Sequence, residues 1–164
     1  MYQAHTLGNA SARALIHSMW YTCTTFFGMR TGAEIRNMRW GDVHLALDPG
    51  TGREFIELKT ERQTKTRTGE NARNVRQNQP RAYATEGEPS RDPVHLFKVY
   101  RDRRPDESLD PESLFLLSIC TGQQKGWFRN CAMGINSIYS IMNNMKADAG
   151  IEDQRITPCS KKLH

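Results

Sequence analysis

The sequence has few cysteines, and none is placed for a disulfide framework or a zinc site. The four cysteines, at positions 23, 120, 131 and 159, include no C-x-x-C pair and have no clustered histidines beside them. Zinc modules and disulfide-rich domains both require regularly spaced ligands or half-cystines. We therefore expect free thiols in a reducing, intracellular compartment, and we expect no metal ion and no cofactor.

Long apolar runs are also missing. The most apolar stretch, residues 14–27, is interrupted by His17, Ser18 and three threonines, whereas a membrane-spanning helix needs about 20 consecutive apolar residues. The N-terminus does not show the charged and then apolar pattern of a secretory signal. We expect a soluble protein without a membrane partner.

The signatures of phosphate loops and metal-dependent nucleases are not evident. Gly50 and Gly52 are followed by neither a third glycine nor a P-loop lysine, so they indicate a turn rather than a nucleotide site. Paired carboxylates with a companion lysine, which metal-dependent strand cleavage requires, do not stand out. A metal-dependent nuclease is the least favoured function.

The length and charge of the chain fit one basic domain. The 164 residues contain 23 Lys and Arg against 18 Asp and Glu, which gives a net charge of +5 and a pI near 9.2. This balance suits polyanionic partners. Residues 1–10 are polar and small, and we interpret them as a flexible lead-in to a domain spanning residues 11–164.

The excess of positive charge is concentrated in residues 59–81. Threonines and asparagines separate the cations, and almost nothing apolar is present, which is typical of an exposed, partly mobile ribbon or loop. Hydroxyls and amides that alternate with cations also suit contacts to phosphates. The seven cations are Lys59, Arg62, Lys65, Arg67, Arg73, Arg76 and Arg81.

Apolar periodicity predicts the regular elements of the first half. Spacings of three and four predict a core helix over residues 11–27 and a short second helix over residues 33–39. The period then changes to two, which predicts a strand over residues 42–47. The turn-forming residues 48–52 and a second strand over residues 53–59 complete a hairpin.

The second half predicts two further helices. Asp92-Pro93 combines a capping carboxylate with proline at the first helical position, so a helix should run from there to about Arg104. The apolar run at residues 114–119 predicts a buried extended segment. Residues 134–149 predict an amphipathic helix closed by Gly150.

The stretch FFGMRTGAEIRNMRWGDV, residues 26–43, places an arginine and a glutamate four residues apart beside an apolar set at helical spacing. By spacing alone, Arg30 and Glu34 are an ordinary helix ion pair. A guanidinium oriented by a carboxylate would also suit a phosphate, because its planar fork of donors matches phosphate oxygens.

The same stretch resembles the first catalytic-arginine motif of tyrosine recombinases. Gly28-Met29-Arg30, Glu34 and Met38-Arg39-Trp40-Gly41-Asp42-Val43 have the form found in Crypton-type transposons. They are closer still to the recombinase-like domains at the C-termini of animal zinc-finger MYM-type and glutamine-rich nuclear proteins. The glutamate follows the arginine by four residues, as in the Crypton branch, whereas in phage and bacterial enzymes it usually follows by three. The resemblance runs from about Ser11 to the end.

This resemblance implies an α+β fold, a mainly helical domain of the DNA breaking-rejoining type with a small antiparallel sheet. It implies a transposon-derived domain in the nucleus, from a family engaged in DNA recombination and DNA integration. The expected partner is duplex DNA, bound weakly and largely without sequence preference, and nuclear proteins are further candidates.

The resemblance also assigns the site residue by residue. Arg30 matches the first arginine and Glu34 its buried partner, while Lys65 matches the hairpin lysine, with Lys59 as second candidate. Arg30 should be partly buried and should share one concave surface with residues 59–65 and 158–162.

The second half of the family site is altered in this sequence. Cys159 and Lys162 stand where the family has the histidine and arginine of its His-x-x-Arg motif. Lysine lacks the bidentate fork, and a neutral thiol cannot replace an imidazolium. The chain ends at His164, before the expected tyrosine nucleophile, and Tyr139 is interpreted as a packing residue. We therefore expect a truncated pseudoenzyme without strand cleavage.

Two functions remain open at this point. The first is a recombinase-like DNA-binding domain. The second is a nuclear protein-interaction module that kept the fold and lost DNA binding. Under the first, the residues that contact DNA are Arg30, Lys59, Arg62, Lys65, Arg67, Arg73, Arg76 and Lys162.

Overall fold

The structure, a computed structural model, describes residues 5–59 and 79–152. Within these ranges the chain is an α+β domain, as the sequence predicts. Its α-helices are α1 (Ala12–Thr25), α2 (Gly32–Asn37), α3 (Pro93–Arg103) and α4 (Ile135–Asp148). Its strands are β1 (Val43–Leu47), β2 (Glu54–Leu58), β3 (Arg81–Tyr83), β4 (Leu117–Ile119) and β5 (Phe128–Ala132).

Helix α1 forms one side of the core. Ser11 caps it, because its hydroxyl accepts a hydrogen bond from the Ala14 N–H at 3.1 Å. The predicted apolar face is buried except for Phe26, which lies at the C-cap and is 39% exposed. Gly28 follows with a φ of 70°, a conformation that glycine adopts without steric cost, so the chain turns sharply toward α2.

Helix α3 begins at the predicted Asp92-Pro93 signal. The Asp92 carboxylate accepts from the Val94 N–H at 2.9 Å. Further along, the buried Tyr100 hydroxyl donates to the Phe115 carbonyl at 2.7 Å and accepts from the Leu117 N–H at 3.1 Å. These bonds fix α3 against the segment that becomes β4.

Helix α4 buries one stripe of its apolar side chains. Ile138, Met142 and Met145 are buried, in agreement with the predicted amphipathic helix, whereas Ile135, in the first turn, is 37% exposed. In the part of the chain that the structure describes, no helix is long and apolar enough to cross a membrane.

The predicted hairpin is present and belongs to a larger sheet. β1 and β2 pair antiparallel from Val43↔Leu58 to Leu47↔Glu54, around the predicted turn. β3 pairs with the other edge of β2, so the sheet order is β1-β2-β3. Arg81, the last residue of the predicted ribbon or loop over residues 59–81, begins this strand. Three residues are too few to show alternation.

A second sheet and an aromatic cluster complete the core. β4, inside the predicted extended segment, pairs antiparallel with β5, which was not predicted. The Trp40 ring stacks on Phe97 at 5.1 Å and on Phe115 at 5.8 Å between centroids. This cluster connects the end of the arginine motif with α3 and with the segment leading to β4.

Candidate nucleic-acid interface

Arg30 lies on the surface between α1 and α2. It is exposed, so the prediction that it is partly buried is wrong. No ion pair joins its guanidinium to Glu34 within residues 5–59 and 79–152. Arg30 is available to an anion, but Glu34 does not hold it in orientation.

The Glu34 carboxylate caps α2 instead. Its Oε2 accepts from the backbone N–H of Arg30 at 2.7 Å and of Thr31 at 3.1 Å, while the Thr31 hydroxyl accepts from the Glu34 N–H at 3.1 Å. This is a capping box, which the Thr-x-x-Glu spacing could have revealed. The predicted role of Glu34 as a buried partner of the guanidinium is wrong, because half-buried Glu34 binds backbone donors.

Tyr139 on α4 packs against the start of α2. A Cβ built at Gly32 would lie 2.7 Å from its Cε1 atom and 2.9 Å from its Cζ atom. The residue is nevertheless 59% exposed. The interpretation of Tyr139 as a packing residue holds for one ring edge only.

The basic segment, residues 59–81, is anchored at both ends in the three-stranded sheet. β2 ends at Leu58 and β3 begins at Arg81, and these strands are antiparallel neighbours with Glu57 opposite Arg81. The Leu58 N–H also donates to the Pro80 carbonyl at 3.1 Å. The segment therefore leaves the sheet and returns to it at the same end of the β2–β3 pair.

One buried carboxylate faces a cation from each end of that segment. The Glu57 side chain is 8% exposed, and its Oε2 accepts from Nε of Arg81 at 3.1 Å while Nζ of Lys59 lies 3.7 Å from its Oε1. The Arg81 guanidinium also lies 4.4 Å from the centroid of the Phe55 ring. A carboxylate inside the apolar strand EFIEL was the sequence signal for this missed contact, since a buried charge requires a partner.

The net charge of the chain comes from this basic segment. Residues 59–81 contain seven of the 23 cations and two of the 18 anions, which is a net charge of +5. The remaining 16 cations and 16 anions balance. The net positive charge therefore belongs to the part of the sequence that connects β2 to β3.

Arg104 shows that some cations of the domain are structural. It is 5% exposed, and its guanidinium donates to the carbonyls of Ser108, Phe115 and Leu114 at 2.6, 2.7 and 3.0 Å. It also lies 4.3 Å from the centroid of Trp40. Its donors are used internally, so it does not belong to an interface.

Most of the predicted site lies outside the described residues. This applies to Arg62, Lys65, Arg67, Arg73, Arg76, Cys159 and Lys162. Of the rest, Lys59 lies at the base of the segment, and no described contact joins it to Arg30. The shared concave surface stays a prediction. No group of three or more His, Cys, Asp or Glu is placed to hold a metal ion in residues 5–59 and 79–152.

The chain matches one family model. The model is described as a domain of unknown function (DUF3504), and the match covers residues 1–147. No curated protein and no solved structure matches the chain.

Proposed function

The chain belongs to the DUF3504 family of domains of unknown function, and from that premise we propose that it is a Crypton-derived, tyrosine recombinase-like domain that binds duplex DNA. The binding is weak and largely independent of sequence, and it takes place in the nucleus. The domain does not cleave the strand.

The observation that carries this proposal is the position of the charge. The net charge of +5 lies in residues 59–81, and their ends are held in adjacent antiparallel strands. Tyrosine recombinases, which the sequence resembles, carry a lysine in a β-hairpin. Lys65, the residue that matches it, lies in the sequence that connects these two strands. The topology supports the resemblance at this point.

Contacts to phosphates explain why little sequence preference is expected. Lysine and arginine bind the phosphates of any sequence, whereas specificity requires hydrogen bonds to base edges. The exposed Arg30 adds a guanidinium suited to a phosphate. Non-specific binding of this type has a dissociation constant of about 10⁻⁴ to 10⁻⁶ M at physiological salt.

Strand cleavage is not proposed because the residues aligned with the family motif have different chemistry. Cys159 supplies a neutral thiol in place of an imidazolium, and Lys162 supplies a point charge in place of a fork. Both changes weaken the stabilisation of a pentavalent phosphate, and of the two residues Lys162 alone supplies a positive charge.

The test is a titration of the intact chain with two plain duplexes of equal length and unrelated sequence. Equal and weak affinities for both support the proposal. The absence of affinity for either duplex at low salt would overturn it and favour a nuclear protein-interaction module. A preference of more than about a hundredfold for one duplex would contradict binding through phosphates alone. Phosphate contacts do not distinguish sequences, whereas each specific contact to a base pair contributes about 1–3 kcal/mol of discrimination.

A further inference from the structure

A cleft of about 550 Å³ opens between α1, the β4–β5 sheet and α4. This volume lies in the range of about 300–1,000 Å³ that is usual for small-molecule sites. Arg30 and Lys59, the predicted DNA-contacting residues that the structure describes, do not line it. The polar side chains that matter here are Arg13, His17, Arg129, Asn136, Ser140 and Asn144, and the described residues of its lining include no carboxylate.

Two guanidinium groups reach the cleft from different elements. Arg13 on α1 pairs with Asp148 at 2.9 Å, and the two side chains are 52% and 41% exposed. Arg129 on β5 is exposed and has no ion-pair partner among the residues that the structure describes. The cleft therefore has one cation that is free and one that is partly neutralised.

His17 contributes a buried hydrogen-bond acceptor. The residue is 3% exposed, and its Nδ1 lies 3.2 Å from the carbonyl oxygen of Thr6. Because a carbonyl oxygen only accepts, Nδ1 carries the proton. Burial lowers the pKa of His17, so the ring is neutral near pH 7 and Nε2 is the nitrogen left to accept from a ligand.

We propose that this cleft binds a small organic phosphate of about nucleotide size. Its phosphate contacts Arg129 and Arg13, and a hydroxyl or amine of its body donates to Nε2 of His17. Asn136 and Asn144, which also line the cleft, offer neutral amide donors to other parts of the ligand.

A phosphate fits this arrangement better than a carboxylate does. A monoester carries about −1.5 to −2 charges at neutral pH and three acceptor oxygens directed apart. Two forks on separate elements can therefore bind it together, whereas a planar carboxylate with one charge is satisfied by a single arginine.

Asp148 competes with the ligand for Arg13. The substitution Asp148→Asn should release Arg13 and remove a like charge from the edge of the cleft, so it should raise the affinity for phosphate. The pair is half-exposed, and the substitution lies at the C-terminus of α4, where an acidic side chain is not favoured by the helix dipole. Folding should be retained.

The experiment is isothermal titration calorimetry of the intact chain with adenosine 5′-monophosphate, inorganic phosphate and adenosine. Arg129→Gln should weaken binding of the monophosphate about tenfold, the equivalent of one charge-assisted contact, and Asp148→Asn should strengthen it roughly threefold. Arg101→Gln, which removes an exposed arginine paired with the neighbouring Asp102 at 3.2 Å, is the matched control and should change nothing. Adenosine should bind far more weakly than the monophosphate.

Two outcomes would overturn the proposal. One is that neither the monophosphate nor inorganic phosphate binds saturably, and the other is that Arg129→Gln and Arg101→Gln lose the same affinity for the monophosphate. His17→Phe tests the acceptor, because a phenyl ring has no acceptor nitrogen and should weaken binding of the monophosphate while leaving binding of inorganic phosphate unchanged. An equal effect on both ligands would contradict that contact.

This site is independent of the proposed DNA function. The variant Lys65→Gln with Arg67→Gln should bind the monophosphate as tightly as the unmodified chain, even if DNA binding is lost. Competitive displacement of the monophosphate by duplex DNA would overturn the assignment of a separate site.

Discussion

Nε of Arg81 lies 3.1 Å from Oε2 of Glu57, across the ladder that joins β3 to β2. Lys59 approaches the other oxygen of the same carboxylate at 3.7 Å. The first and last cations of the basic segment are therefore held by one buried acid. This contact fixes where the segment leaves and re-enters the sheet.

Arg81→Met should lower the urea midpoint of unfolding more than Arg101→Met does. Among the residues that the structure describes, the first substitution leaves the buried Glu57 carboxylate with the more distant Lys59 as its cation, and an undercompensated buried charge is destabilising. Arg101 pairs with an exposed acid instead. Equal midpoints for the two variants would show that the Glu57–Arg81 contact does not stabilise the sheet.

Arg104→Met should destabilise the domain by about 3 kcal/mol, because it removes the guanidinium donors to the Ser108 and Leu114 carbonyls and leaves the Phe115 carbonyl with the Tyr100 hydroxyl. The guanidinium lies close to the carbonyls of Ser108, Leu114 and Phe115. It also donates to the Tyr100 hydroxyl, and this phenol stays neutral because burial raises its pKa to about 12. Arg103→Met is the matched control. It removes an exposed guanidinium 4.2 Å from the centroid of Trp127 and should cost at most about 1 kcal/mol. Urea denaturation of both variants gives the comparison, and similar losses would contradict a structural role for Arg104.

Gly32→Ala should destabilise the domain by about 1 kcal/mol, because the new methyl group would overlap the Tyr139 ring. In a Tyr139→Ala background the same change should become neutral or stabilising, since alanine favours a helix over glycine. A double-mutant cycle by thermal unfolding measures this coupling. If the cost of Gly32→Ala persists without the Tyr139 ring, the contact is not its cause.

Stability should fall as the pH drops below about 6.5, partly because of His17. Burial lowers its pKa from 6.5, while the Thr6 carbonyl opposes the shift only in part. The unfolded state then binds the proton more readily than the folded state, so stability is lost from about pH 6.5 downward. His17→Gln should flatten this loss in urea midpoints measured between pH 7.5 and about 5, whereas His44→Gln, at an exposed position, should not. An unchanged pH dependence in His17→Gln would assign the effect to other groups.

The helices and the first hairpin could be predicted because their signals are local. Asp92-Pro93 begins α3, and the change of period after Trp40 begins β1. The short strands β3 and β5 could not be predicted in this way. β3 has three residues, too few to show a period, and the sequence FRNCA of β5 does not alternate apolar and polar residues. The pairing of both strands depends on neighbours that are distant in sequence.

The site was predicted less well than the fold, for a physical reason. Spacing places Arg30 and Glu34 on one helix face, but Arg30 precedes the helix, and the carboxylate is used by the backbone N–H groups of the first turn. A carboxylate near the start of a helix can either cap backbone N–H groups or pair with a guanidinium. The uncapped N–H groups are present in every helix, whether or not a guanidinium is near, so the cap can take the carboxylate.

The most direct test of DNA binding through the basic segment is the salt dependence of affinity for a plain duplex. The logarithm of the binding constant should fall linearly with the logarithm of salt concentration, with a slope of roughly −0.9 for each phosphate contacted. Lys65→Gln with Arg67→Gln should reduce the magnitude of that slope by about two contacts. The control Arg101→Gln with Lys125→Gln removes the same charge elsewhere and should leave the slope unchanged. An unchanged slope in the Lys65 and Arg67 variant, or no DNA affinity of the intact chain at low salt, would contradict the proposed function.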